Sequence, residues 1–555
     1  MQSKIDAFRF RSRWNFLFLL ATAVLAPVVA HAQVRIPDAA RNVAEVEQTL
    51  RVGDQLEDQR RWGEAVTHYE KALKENPGRR EFEDRLVTSR FHYQIGRRYV
   101  DSSFLETVGT IGEQDALDLY GEVLLKVHAH YVQPPNWNLL LDRGLTAIEV
   151  AFSESAFAER HRLVVTTNPQ PTFRQLHQSV ATQRVYSRHD ARQQAFELAR
   201  TLQSGVGIPA PVSLLEFTCA AIGSLDDYSA FLTGNQLDDV LAQIEGNFVG
   251  LGIELKAEDE ALQLVSVISG GPADQAGLKA GDRIVEVDGR STREISTDAA
   301  ADMLKGVEGS VVELVVLDAS DAARRMRLKR MRVEVPSVDQ VSIIDPDYGV
   351  GYVRITSFQK TTNSDMDAAL WKLHREGMRS LIVDVRSNPG GLLTASVEVA
   401  DKFVSQGSIV STRGRSSAED FDYKAHKVGT WRVPLIVLID SDSASASEIF
   451  AGAIRDHRRG TLVGQRSYGK GSVQGIFPLS IANAGVRLTT AKFYSPAGHP
   501  ISRRGVHPDV VVAMEDRQVV AKPVDDRLPI VDDQSDNTLA AAMQVARKQL
   551  SQRQR

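Results

Sequence analysis

The sequence predicts a multidomain α/β protein, and three observations carry that reading. Its 555 residues exceed what one hydrophobic core supports. The patterning changes kind along the chain: helical spacing to about residue 232, short glycine-punctuated strands to about 332, then apolar strands alternating with helices. The composition, 43% hydrophobic and 25% charged, is that of an ordinary globular protein. Lys and Arg number 66 against 71 acids, a net charge of −5, so no global basic field offers itself to a nucleic acid. Cys219 is the sole cysteine, which excludes intramolecular disulfides and thiolate-rich metal sites.

Residues 1–32 read as a signal peptide. Lys4, Arg9, Arg11 and Arg13 form a basic start, Phe16 to Ala26 is apolar but for Thr22, and Ala30-His31-Ala32 supplies the small residues of a cleavage site. The apolar run falls short of the ~20 residues a bilayer needs. The expected location is therefore the periplasm or cell envelope, with cleavage after Ala32.

Residues 33–110 form a helical arm. Leu56, Trp62, Ala65, Tyr69 and Ala72-Leu73, closed by Pro77, have the small/large alternation of one tetratricopeptide helix pair. The next copy keeps helical spacing at Phe91, Tyr93, Ile95 and Tyr99 but loses the small residues, so a plain helical hairpin fits as well. Residues 111–240 continue as a helical cap, with two helices between Ala116 and Phe152 broken at Pro134-Pro135. The Gln/Arg-rich run 173–203 reads as a solvated helix or lever.

Residues 241–335 differ. The order is a Gly250-Leu251-Gly252 loop, a strand from Leu262 to Ile268, and the block "GPADQAGLKAGDRI". An Asp288-Gly289 turn, a helix from Ala299 to Leu304 and a strand from Val311 to Leu317 follow. This succession resembles a PDZ domain. Successive amides at Leu251 and Gly252 suit a peptide carboxylate, and the strand opening at Ile253 offers its edge to an extended peptide. Ile253, Met303 and Leu304 are the expected pocket walls.

Residues 336–516 hold two strand–turn–helix units. Ser380 to Val385 breaks at Asn388-Pro389-Gly390-Gly391 into a helix, and Pro434 to Asp440 breaks at Ser441 to Ala446 into another. Near-continuous apolar strands imply a mostly parallel sheet covered on both faces, with ligands at its carboxyl edge. Small residues at 441–447 let a substrate backbone approach, and a hydroxyl at a helix mouth sits beside free N–H groups that hold an oxyanion. No Gly-x-Ser-x-Gly elbow is present, and His457 lies about three turns along the same helix within a charged cluster, as a surface residue. Lys470, between two glycines, is the base that remains. Burial lowers a lysine pKa by several units, enough to take a serine proton. Gln474 would orient it without adding charge. Gly464 to Lys470 imitates a P-loop, yet Gly471 stands where a metal-binding hydroxyl belongs. No cofactor or metal is expected. Residues 517–555 read as a C-terminal tail with a helix.

The chain resembles the C-terminal processing (tail-specific) serine proteases from about Ala116 to Asp509. The resemblance rests on Leu225-Asp226-Asp227-Tyr228-Ser229, the PDZ block, "NPGGLL", "SASASEIFAGA", "GQRSYGKGSVQ", "TTAKFYSPAGHPI" and "GVHPDV". It implies a ClpP/crotonase-like core with an inserted PDZ domain. It further implies Ser445 as nucleophile with Glu448 closing its motif, Lys470 as base 25 positions on, Gln474 as its partner, and oxyanion amides at Gly391 and Ala446. The family usually has Leu-Asp-Pro where this chain has Leu225-Asp226-Asp227, read as a loop change away from the chemistry. The expected function is an exported Ser/Lys endopeptidase that cleaves proteins near their C-terminus. Its partners are substrate tails and, through the N-terminal helices, a second copy or an adaptor. The other reading is an idle PDZ scaffold recruiting envelope proteins.

Overall fold

A computed structural model describes residues 38–163, 168–258, 261–292, 303–318, 320–426, 428–512 and 536–553. The signal segment 1–32 lies outside them. No helix among the described residues is long and apolar enough to cross a membrane.

The chain divides into two compact units, Met1–Phe82 and Glu83–Arg555. In the first, helices Asp38–Asp58 and Trp62–Glu75 pack as a hairpin. The small/large alternation has a direct reason: the Tyr69 ring lies on Gly53, and its hydroxyl donates to Glu57 at 2.8 Å.

The second unit begins inside the expected arm. Phe91, Ile95, Tyr99 and Phe104 belong to one apolar core with helices Glu113–His130, Trp137–Ser153, Arg188–Val206 and Ala210–Gly223. That corrects the 33–110 boundary. These large side chains fill a bundle core, which is why the small residues of a repeat are missing. The polar run is no lever either. It forms two helices, Gln170–Thr182 and Arg188–Val206, and Ala191, Ala195, Leu198, Ala199 and Leu202 bury one stripe of the second. Alanines carry that stripe, so it scarcely registers as hydrophobic in the sequence. Cys219 is buried here and its thiol is pushed up to about 12, so it is inert.

The bundle rests on an antiparallel sheet, through Val486 and Leu488 of the long strand Gly485–Tyr494. That strand pairs with Ala230–Leu232, Ser408–Gly414 and Ser472–Pro478. Beside it stands a six-stranded sheet in the order Val338–Asp345, Val350–Ile355, Ser380–Asp384, Leu435–Ile439, Thr461–Gly464, Val510–Val511. Only the first pairing is antiparallel. Its central strands are buried on both sides, as parallel strands must be. Leu381, Val383 and Val437 face helices Thr362–Arg375, Leu393–Asp401 and Ala446–Asp456. Ile382, Ile436 and Leu438 face helix Asn537–Arg553. The expected tail therefore ends in the second cover of the core. Asp536 anchors it, accepting from the Thr538 and Leu539 amides and from Arg386, which also pairs with Asp384 at 2.6 Å.

Between bundle and core in chain order comes a small antiparallel sheet, with strands arranged Ile253–Glu258, Ala261–Val267, Arg283–Val287, Val311–Leu317, Ala323–Lys329. Its core holds Leu251, Leu264, Ile284, Leu314 and Leu328. Strand Ile253–Glu258 is an edge among the described residues. The helix expected from Ala299 falls mostly outside them; Leu304, at its end, is buried and Met303 half-buried.

Candidate active site

Two loops leave the carboxyl ends of neighbouring strands and are stitched together by Asn388. Its amide donates to the Ile355 carbonyl at 2.8 Å, and its side-chain oxygen accepts the Gly390 N–H at 2.8 Å. Its main-chain carbonyl accepts from Ala444 N–H and from the Ser447 hydroxyl, both at 3.0 Å. The approach is tight enough to demand glycine: a Cβ on Gly390 would stand 2.8 Å from the Ser445 Cβ and 3.0 Å from the Ala446 nitrogen.

Ser445 caps helix Ala446–Asp456 with φ 55° and ψ −112°. A non-glycine residue pays on the order of 1–3 kcal/mol for such a backbone, and it persists only where its surroundings hold it. The side chain is half-buried. The N–H groups of Ala446 and Gly391 donate to no acceptor among the described residues. Gly391 is fixed by Phe358, whose N–H donates to the Gly390 carbonyl and whose carbonyl accepts from Leu392.

Glu448 joins this loop to that of Lys470. It is fully buried, one turn into the helix. One carboxylate oxygen accepts the Ser445 N–H at 2.8 Å and the Lys470 N–H at 2.9 Å. The other accepts the Gly469 N–H at 2.7 Å and the Ser467 hydroxyl at 2.6 Å. Burial raises the Glu448 pKa, and these four donors oppose the rise. Serine and lysine thus have their backbones fixed to a single side chain.

The Lys470 amine makes no ion pair among the described residues and lies 5.0 Å from the centre of the Tyr228 ring. Burial pushes its pKa below the ordinary lysine value, the positive charge of Arg487 adds to the fall, and Glu448 opposes it. Tyr228 is delivered by a turn on Asp226, whose side chain accepts the Tyr228 and Ser229 amides, each at 2.8 Å. Arg487 holds the Tyr228 carbonyl at 2.9 Å. The Leu225-Asp226-Asp227 loop is therefore not remote from the site, as the sequence suggested. Gln474 begins the register shift after Val473, and its amide donates to the carbonyl and hydroxyl of Ser472. It makes no bond to Lys470 among the described residues. His457 lies at the far end of its helix, half-buried, with its ring on the Ser408 carbonyl. The P-loop imitation fails on topology as well, since a strand, not a helix, follows Gly471.

In the glycine loop of the small sheet, the Leu251 and Gly252 carbonyls accept from Ala273 and Ile268, at 2.9 and 2.8 Å. Their amides donate to no acceptor among the described residues. Gly252 has φ 76°, a conformation suited to glycine. Ile253 then opens the free edge. No group of His, Cys, Asp or Glu among the described residues is arranged to hold a metal ion.

Comparison with known proteins agrees with this layout. The family model for peptidase family S41 matches residues 349–512, and the model for a PDZ domain matches 264–318. The carboxy-terminal-processing protease of Bartonella bacilliformis is 38% identical over 325 residues, covering 57% of this chain and 73% of the relative. The chain belongs to the carboxy-terminal-processing protease family. A Synechocystis member of this protease family is 33% identical over 296 residues, 52% of this chain and 69% of its own. Among solved structures, a photosystem II D1 C-terminal processing protease is 26% identical, covers 72% of this chain and 93% of that one, and has a TM-score of 0.37. Membership in this protease family accounts for the serine-peptidase core and the PDZ domain together.

Proposed function

We propose that this protease is an exported endopeptidase in which Ser445 is the nucleophile and Lys470 the general base. The free amine takes the Ser445 proton as the hydroxyl attacks the scissile carbonyl, and the resulting ammonium protonates the leaving amine. Water then releases the acyl group by the same route in reverse. The amides of Gly391 and Ala446 receive the oxyanion. Gln474 acts on this pair through Ser472, at the root of the Lys470 loop. The observation that carries the reading is the Glu448 carboxylate, which anchors the backbones of Ser445 and Lys470 while leaving the amine desolvated and without a counter-ion among the described residues. An idle scaffold would have no use for that arrangement. A fluorophosphonate should label Ser445 in the full chain and fail to label Lys470→Ala; equal labelling of both would leave the scaffold reading standing.

The oxyanion assignment makes Gly391 sensitive. A Cβ there would meet the Phe358 carbonyl oxygen at 2.1 Å, with φ at 137°. Gly391→Ala is expected to lower kcat roughly 100-fold, the cost of losing one oxyanion donor. The helical content by circular dichroism should be unchanged.

The PDZ domain is the tail reader in this proposal. The Leu251 and Gly252 amides, without an acceptor among the described residues, take the substrate's terminal carboxylate, and the Ile253 edge pairs with its last residues. Amidating a peptide's C-terminus should raise KM with little change in kcat. Equal cleavage of amidated and free peptides would assign tail reading elsewhere.

A further inference from the structure

Segment Ser495–Val506 folds back onto the Lys470 loop. Arg503 N–H donates to the Gly469 carbonyl at 2.8 Å, and Val506 N–H donates to the Ser467 hydroxyl at 2.6 Å. Between this segment and the last turn of helix Ala446–Asp456 lies a cavity of about 410 Å³. Arg455, Arg466, Arg503 and Arg504 line it, and none of them makes an ion pair among the described residues. His499 and His507 add further nitrogen donors or acceptors. The one carboxylate on the wall, Asp456, is occupied by the Ala497 N–H at 3.0 Å.

An anionic oxygen in the cavity would offset the mutual repulsion of the guanidinium groups.

We propose that this cavity binds a phosphate-bearing anion. Guanidinium forks match phosphate oxygens two at a time, and a phosphoryl group brings close to two charges to a site with several unpaired cations. The volume leaves space for more than a lone phosphate, as in a pyrophosphate or a phosphate ester. A bound anion would draw Arg466 and Arg503 together, and those residues flank and fasten the loop that carries Lys470. The site therefore sits where occupancy would stiffen the base loop without touching Ser445.

Calorimetric titration of the full chain with inorganic pyrophosphate, at fixed ionic strength, tests this. Saturable one-to-one binding is expected, weakened at least tenfold in Arg455→Gln/Arg504→Gln. Hydrogen exchange in 466–471 and 501–507 should slow on binding. Vesicles of phosphatidylglycerol, compared with phosphatidylcholine, separate the sources. Binding to the former alone, with the same loss in the double variant, would make the phosphate a lipid headgroup. The proposal is overturned by no binding of pyrophosphate or vesicles at millimolar concentration, or by binding unchanged in the double variant. A glutamate-rich peptide that binds where pyrophosphate does not would overturn it equally. Fluorophosphonate labelling of Ser445 confirms that each variant is folded.

Discussion

Ser445→Ala and Lys470→Ala should each lower hydrolysis of an unstructured peptide by roughly 10⁴-fold or more, and the double variant should be no worse than either, because nucleophile and base act as a unit. Activity of the unmodified enzyme should rise with pH. In the proposed mechanism the free amine is the active form, so the midpoint of that rise reports the Lys470 pKa. Burial first, and the Arg487 charge second, hold that pKa below the lysine's ordinary value of about 10.4. Arg487→Gln removes a positive neighbour, which makes the ammonium easier to keep, so the midpoint should move to higher pH. Tyr228→Ala opens the ammonium to water and should move it the same way, whereas Tyr228→Phe keeps the ring and should leave it in place. A pH–rate profile for each variant is the measurement. Full activity in Lys470→Ala, or a midpoint indifferent to Arg487, would remove Lys470 as the base.

The core strands were legible because strands buried on both faces read as unbroken apolar runs, and Ser380–Asp384 and Leu435–Ile439 are such strands. The loops after them were legible through their small residues, which close approach at Gly390 requires. What the sequence hid has two physical causes. Some surfaces are buried through alanine, as on helices Arg188–Val206 and Asn537–Arg553, and alanine leaves a faint hydrophobic stripe. Other features are contacts between distant segments. Tyr228 meets Lys470, and Arg487 meets Tyr228, only because the short strand Ala230–Leu232 pairs with Gly485–Tyr494. No local pattern encodes that register. Gln474 belongs with the second cause: its position in the motif was readable, but the register shift at which its amide meets Ser472 was not. Glu448 was visible as the end of a motif, while its part in joining the two loops came from geometry alone.

Glu448→Ala is therefore expected to be the most damaging single change outside the reacting pair. It strips the acceptor from three amides, at Ser445, Gly469 and Lys470, and from the Ser467 hydroxyl. Each donor left buried and unpaired costs about 1–3 kcal/mol. Relief of a desolvated carboxylate offsets part of this, and water entering the vacated space offsets more, so a net loss of about 3 kcal/mol is the reasonable scale. Glu448→Gln separates stability from positioning. The amide keeps the volume but offers one accepting oxygen in place of two, and turns its NH₂ toward donors whichever way it is placed. Either the Ser445/Lys470 pair or the Ser467/Gly469 pair then loses its anchor. Since Ser445 holds a strained backbone, freeing its amide lets it relax away from φ 55°. Thermal unfolding should show a small loss for Glu448→Gln and a large one for Glu448→Ala. The rate of fluorophosphonate labelling of Ser445 should fall at least tenfold in both. Unaltered labelling in Glu448→Ala would mean that the serine keeps its geometry without this carboxylate, and that Glu448 serves packing alone.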